Sequence, residues 1–71
     1  MKLTPTQEYE LATAREYLLL AEDLEAANRR AKGQEILREA QALFFQLPRE
    51  FTDEEFTDKY TAIYNKLYRG Y

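Results

Sequence analysis

The sequence of 71 residues contains no cysteine, histidine, serine or tryptophan, and these absences exclude several kinds of chemistry. No disulfide can form without cysteine, and without cysteine and histidine the usual zinc ligands are missing. Histidine is also the most frequent general acid or base at neutral pH, and cysteine and serine are common nucleophiles. We therefore expect a protein that is not an enzyme and has no catalytic residues, no metal site and no cofactor.

Glycine and proline are scarce too, with two of each, so the chain has few turns and cannot build a glycine-rich loop for phosphate. Long apolar runs are absent: the longest, Tyr17 to Ala21, falls far short of the ~20 residues of a membrane span. The first residues lack the apolar run of a signal peptide. We expect a cytoplasmic protein with no membrane partner and no small-molecule substrate.

The residues that are present favour helices. Hydrophobic residues make up 45% and aromatic residues 14% of the chain, which is more than a disordered segment carries. Ala, Leu, Glu, Arg and Gln, all good helix formers, dominate its first two thirds. The length suffices for one compact domain. The sequence thus predicts a single all-α domain over residues 1–71.

The first helix is predicted over 5–31. Thr4 suits the N-cap position, Pro5 suits the first turn, and Gln7 completes a capping box. No helix breaker follows until Lys32-Gly33, which indicates a C-terminal stop with a left-handed glycine. Such a helix would be about 40 Å long. The alternative is one continuous rod through Gly33, because a lone glycine costs a helix only about 1 kcal/mol.

The second helix is predicted over 34–47, because Pro48 disfavours a helical backbone at the residue before it. The third is predicted over 53–68, with Thr52 as its N-cap, Glu55 completing a capping box and Gly70 as its stop. Short connections favour antiparallel neighbours. We therefore expect an up-down-up three-helix bundle with a long first helix, which dimerisation could complete.

The length of the first helix leads to the main functional hypothesis. Two helices of about 21–24 Å cannot cover an apolar stripe of about 40 Å, so its N-terminal half should stay partly exposed, as interfaces often are. The alternative is that the 48–52 segment and the chain end cover it. Leu19 and Phe45 lie off the core faces, although Phe51 could cover Phe45, and tyrosines recur along the third helix. The candidate interface residues are Tyr9, Leu11, Leu18, Leu19, Phe45, Tyr64, Tyr68 and Tyr71.

Basic residues gather at one predicted pole of the bundle, where the first and third helices end. They are Arg29, Arg30, Lys32, Lys66 and Arg69. Cations at helix C-termini often do no more than complement the helix dipole. The functional alternative is a patch that binds phosphate or an acidic partner.

The sequence leaves two functional hypotheses open. The first is a non-enzymatic protein-interaction module, a small adaptor, inhibitor or regulator, that binds a protein partner or forms a homodimer. The second is a small DNA- or RNA-binding regulator that uses the basic pole, although the net charge of −3 and the acidic start of the third helix disfavour it. A structural spacer in a larger assembly fits the composition as well as the first hypothesis does.

Overall fold

A computed structural model describes residues 2–70 of the chain. It contains three α-helices, α1 (Pro5–Ala26), α2 (Arg30–Phe45) and α3 (Glu54–Tyr64), and a π-helical segment, Asn65–Arg69, that continues α3. No β-strand occurs within this range, and none of its helices has the length and apolar character needed to cross a membrane. The expected all-α class is confirmed, and the helices pack as a bundle with extents of 37 × 17 × 14 Å.

The start of α1 agrees with the sequence, but its end does not. The Thr4 hydroxyl accepts a hydrogen bond from the Gln7 N–H, and the Gln7 side chain accepts one from the Thr4 N–H, so the capping box is confirmed. The helix ends at Ala26 rather than at residue 31, and is about 33 Å long rather than about 40 Å.

A left-handed asparagine ends α1. Asn28 has a φ of 64°, a conformation that Asn adopts more readily than most residues. Its N–H donates to the Glu25 carbonyl, and the Arg29 N–H donates to the Leu24 carbonyl, which is the hydrogen-bond pattern of a Schellman motif. The left-handed turn at Asn28 therefore terminates α1 before the chain reaches Gly33.

Gly33 instead lies buried in the second turn of α2, which begins at Arg30 and ends at Phe45 rather than spanning 34–47. A Cβ atom at Gly33 would lie 2.9 Å from Leu67 Cδ2 and 3.4 Å from the Ala21 carbonyl oxygen. The missing side chain lets α1, α2 and the end of the chain approach one another closely at this point. Both sequence-based alternatives for Gly33, a helix stop and a continuous rod, are therefore wrong.

The N-cap of α3 is Asp53, not the predicted Thr52. Its carboxylate accepts a hydrogen bond from the Phe56 N–H and forms a salt bridge of 2.5 Å with Arg15 of α1. The Asp53 side chain thus satisfies a free N–H in the first turn of α3 and also holds the start of α3 against α1. With its π-helical continuation, α3 runs from 54 to 69, close to the predicted 53–68, and Gly70 has the left-handed φ of 78° expected of a stop.

The core follows a narrow seam along α1. Four buried residues, Leu11, Ala14, Leu18 and Ala21, alternate in steps of three and four along the helix, which places them on one side of it. The other buried side chains are Ile36, Leu37, Ala40, Leu47, Phe56, Ile63 and Leu67. The buried alanines let α1 and α2 pack close together, because a methyl side chain occupies little space between the two helix backbones.

Leu11 and Leu18 were expected to remain partly uncovered, and this expectation is wrong. Leu18 is 1% exposed and Leu11 is 8% exposed within a single chain. The first helix is shorter than predicted, and α2 begins earlier, so α2 and the segment after it reach back along α1. The salt bridge between Arg15 and Asp53 shows that this segment lies beside the middle of α1.

Candidate protein-interaction surface

A row of aromatic rings runs along the side of the bundle formed by α2 and α3. Neighbouring ring centres are 6.2 Å apart between Phe51 and Phe44, 4.3 Å between Phe44 and Phe56, 6.4 Å between Phe56 and Tyr60, 6.0 Å between Tyr60 and Tyr64, and 4.5 Å between Tyr64 and Tyr68. We call these six residues the aromatic row. Phe56 is buried, its neighbours in the middle are half-buried, and the row ends in two exposed tyrosines.

The spacing of α3 explains why the row passes from the core to the surface. Phe56, Tyr60 and Tyr64 are four residues apart, and each such step turns about 40° around an α-helix. The first ring is therefore buried and the third lies outside. The π-helical turn at 65–69 takes in an extra residue and reduces this drift, so that Tyr68 stacks on Tyr64.

An exposed phenylalanine lies beside this row. Phe45, at the end of α2, is 72% exposed, and it lines an open cleft of about 150 Å³ whose other walls include Phe44 and Tyr60. The suggestion that Phe51 covers Phe45 is wrong, because the Phe51 ring packs against Phe44 instead. Gln41 and Thr57 supply the polar edges of the cleft. A large apolar ring is thus left in solvent next to a row of tyrosines.

Tyr60, in the middle of the aromatic row, stays uncharged at neutral pH. Burial raises the pKa of Tyr60 above its usual 10.0, and the neighbouring Tyr64 and Tyr68 raise it further. A neutral ring edge with hydroxyl groups along one side can pack against apolar side chains and still donate hydrogen bonds. This combination is enriched in protein interfaces.

Charge is sorted along α3 beside the row. At the start of the helix, Glu54 and Asp58 line a cleft together with Phe44 and Phe51. Basic residues occupy the last turn of the π-helical segment, where Arg69 is exposed. The aromatic row is therefore bordered by negative charge at one end and positive charge at the other.

The predicted interface residues do not form one surface. Three of them lie on the α2–α3 side: Phe45 lines the cleft with Tyr60, and the rings of Tyr64 and Tyr68 continue the stack from Tyr60. Leu19 is exposed, but lines a separate cleft with Glu55 and Lys59 on the α1 side of α3. The remaining four are divided: Tyr9 is exposed on α1, Leu11 and Leu18 are core residues, and Tyr71 lies outside the described residues.

The sequence did not identify Phe44, Phe51 and Thr57 as parts of this surface. Phe44 belongs to α2 and Phe51 to the segment before α3, and only the packing of these parts brings their rings together. One signal was available, because aromatic residues at 56, 60, 64 and 68 recur at every fourth position. Such a spacing predicts a row along one side of a helix.

Part of the predicted basic patch has a structural role. The Arg30 guanidinium donates hydrogen bonds to the carbonyl oxygens of Lys66 and Leu67, at 2.8 Å and 3.3 Å, and Gln34 donates to the same Leu67 oxygen. These bonds satisfy carbonyls at the end of the helix. Lys32 lies 3.6 Å from Glu35. Lys32 thus has an acidic neighbour in α2. The other three residues of the predicted patch, Arg29, Lys66 and Arg69, are exposed at the surface.

Two further findings bear on what the surface can bind. Within residues 2–70, no cluster of three or more acidic side chains is arranged to hold a metal ion. Comparison with protein-family models, curated proteins and solved structures finds no match to this chain. The surface must therefore be interpreted from its own chemistry.

Proposed function

We propose that the protein is a non-enzymatic interaction module that associates with itself through the exposed part of the aromatic row and Phe45. The observation that carries this proposal is that three large rings, Phe45, Tyr64 and Tyr68, stay 72%, 37% and 40% exposed on one side of a closed core. Scattered apolar residues on a surface are ordinary, but a contiguous aromatic group beside a cleft is typical of an interface.

The path of the chain that we infer is up-down-up. Gly33, near the start of α2, approaches Ala21 near the end of α1, and Arg30 bonds to carbonyls at the end of the chain. The start of α3 contacts the middle of α1 through Arg15 and Asp53. Antiparallel neighbours account for all three contacts, and they leave α2 and α3 side by side with the aromatic surface between them.

Two substitutions at equally exposed rings test the proposal. Phe45→Ser removes a ring of the proposed surface, and Tyr9→Ser removes a ring that is 74% exposed on α1. Neither ring is in the core, so both variants should fold, as checked by far-UV circular dichroism. Sedimentation velocity from about 10 μM to about 1 mM covers the affinities of weak protein pairs.

We expect the wild-type protein to sediment faster as its concentration rises, and the Tyr9 variant to behave like it. Phe45→Ser should weaken self-association by about tenfold, the effect of losing one important interface residue. A wild-type protein that stays monomeric over the whole range would contradict the self-association. Equal weakening in both variants would contradict the location of the surface.

The nucleic-acid alternative has less support. Arg30 is engaged with helix-end carbonyls, and Lys32 lies beside Glu35, so two of the five proposed phosphate contacts have neighbours within the chain. Titration of a labelled duplex at low and moderate salt would test this alternative, because binding through phosphates weakens steeply with salt. No binding at low salt is the expected result.

A further inference from the structure

The outer face of α3 carries two adjacent lines of residues. Positions three, four, seven and eleven apart share one side of a helix, and this spacing is retained into the π-helical segment. The first line is Thr57, Thr61, Tyr64 and Tyr68, and the second is Glu54, Asp58, Asn65 and Arg69. Seven of the eight residues are exposed and Asn65 is half-buried. We call these eight residues the outer face of α3.

Charge is distributed unequally along this face. Its acidic residues, Glu54 and Asp58, lie at the beginning, and its basic residue, Arg69, lies at the end. Such a face repels a copy of itself that runs in the same direction, because acidic residues would meet acidic residues. It attracts a copy that runs in the opposite direction.

We propose, on the basis of the function proposed above, that the partner of this face is the same face of a second copy, packed antiparallel. Glu54 of each copy then faces the partner's Arg69. The two contacts are equivalent, because a twofold symmetric interface repeats every pair.

The register of this pairing follows from the residues themselves. A twofold axis at Thr61 places Tyr64 over the partner's Thr57 and brings Asp58 opposite the partner's Asn65. In each of these pairs the two residues lie about equally far from Thr61 along the helix. Thr57 and Thr61 are small enough to let the tyrosine rings approach, and an amide can donate a hydrogen bond to a carboxylate.

The charge pattern of the face is complementary to that of an antiparallel second copy. Each chain has a net charge of −3, so two copies repel one another unless opposite charges are locally matched. The antiparallel arrangement supplies this match with no other molecule. On the other side of α3, Glu55 lies 3.7 Å from Lys59 of the same chain, so that side has part of its charge matched internally.

The size of the face sets the strength of the dimer. With its π-helical continuation α3 is about 24 Å long, and a helix is about 10 Å wide, so two faces bury only about 500 Å² in projection. Stable complexes bury more than about 1,000 Å² of accessible surface. The dimer is therefore weak and concentration-dependent, and its measurement needs concentrations up to about 1 mM.

A charge exchange tests the pairing. Glu54→Arg places a basic residue at each end of the face, and Arg69→Glu places an acidic residue at each end. Each variant alone places like charges opposite one another twice in the dimer, so its dissociation constant should rise by about tenfold. An equimolar mixture of the two variants should restore association to the wild-type level, because the two basic ends of one variant then face the two acidic ends of the other.

Two matched variants control for effects on the helix itself. Glu55→Arg removes an acidic residue from the same first turn, and Lys66→Glu removes a basic residue from the same last turn, so both disturb the helix dipole equally. Glu55 lines the cleft with Leu19 on the α1 side, and the spacing from Glu55 and Lys59 places Lys66 on that side as well. Both control variants should associate like the wild type.

The outcomes separate this pairing from the function on which it rests. If Phe45→Ser weakens association but the charge variants do not, or if their mixture is no stronger than either alone, the antiparallel pairing is wrong and the aromatic surface stands. If the control variants weaken association as much as Glu54→Arg and Arg69→Glu, the pairing is also wrong. A wild-type chain that never associates overturns both proposals.

Discussion

The two sides of α2 show how residue size decides what a helix contact can do. Towards α1 it packs through small residues, since Ala14, Ala21 and Ala40 are fully buried and Gly33 allows a still closer approach. Towards α3 it packs through aromatic rings, which leave an open cleft and exposed edges. The alanine side is closed and buried, whereas the aromatic side keeps a cleft and exposed rings in contact with solvent.

The largest effect that this contrast predicts is at neighbouring leucines of α1. Leu18→Ala should reduce the free energy of unfolding by about 2–5 kcal/mol, because it opens a cavity in the core. Leu19→Ala removes the same atoms from a residue that is 51% exposed, and should change the free energy of unfolding by less than about 0.5 kcal/mol. Urea unfolding followed by circular dichroism measures both. Equal losses of unfolding free energy in the two variants would show that the buried seam of α1 does not stabilise the fold more than its exposed side.

Gly33 offers the next largest effect. Gly33→Leu should cost about 1–3 kcal/mol, because the added side chain overlaps the space of Leu67 and the Ala21 backbone. Gly33→Ala should be close to neutral, since one methyl group displaces only the end of the Leu67 side chain, and alanine gains about 1 kcal/mol of helix propensity. Thermal unfolding of the two variants tests this. A destabilised Ala variant together with an unaffected Leu variant would contradict the close approach.

Asp53 should make the start of α3 sensitive to acid. Burial raises the pKa of its carboxyl, but hydrogen bonds from Arg15 and from the Phe56 N–H, together with the charge of Arg15, outweigh burial and lower it below 3.8. A lowered pKa in the folded state adds stability above the unfolded pKa, and this stability is lost as the pH falls through about 4 and below.

Asp53→Asn keeps an N-cap side chain and removes the charge, so it should lower stability at pH 7 by about 0.5–2 kcal/mol and reduce the loss on acidification. Urea unfolding at pH 7 and at pH 3 gives both values. Glu54→Gln, at the exposed next residue, serves as the control and should retain the acid dependence of the wild type. An unchanged acid dependence in Asp53→Asn would rule out the carboxylate as its source.

The smallest effect belongs to the aromatic side. Because the pKa of Tyr60 is raised in the folded chain, its contribution to stability is present below pH 10 and is lost as the pH rises through the folded pKa. Tyr60→Phe cannot ionise, so it should lose less stability in alkali than the wild type, with little change at pH 7. Thermal melts at pH 7 and at pH 10.5 compare the two, and an identical alkaline loss would contradict this account.

Local signals in the sequence predicted the fold where the structure depends on neighbouring residues. The Thr4 and Gln7 capping box and the glycine stop at Gly70 involve residues within one turn, and both were found as expected. The break after α1 was misplaced because glycine has two uses. At Gly33 the residue allows contact with Leu67, far away in sequence, and nothing local distinguishes this use from a helix stop.

The same limit applies to the candidate surface. Phe45 lies off the core stripe of α2, so its exposure was predictable from helix period alone, whereas Tyr64 lies at the edge of the stripe of α3. Whether Leu11 and Leu18 are covered depends on where α2 begins. Because the break between α1 and α2 was predicted too far along the chain, both buried residues were predicted to be partly exposed. The stacking of Phe44 on Phe56 joins two helices and has no local signature.

The most direct test of the aromatic surface is a dilution series followed by amide nuclear magnetic resonance. Self-association through the outer face of α3 and Phe45 predicts concentration-dependent shifts at Thr57, Thr61, Tyr64 and Phe45, with little change at the exposed Tyr9. Shifts that cluster around Tyr9 instead, or spectra that do not depend on concentration, would contradict the account.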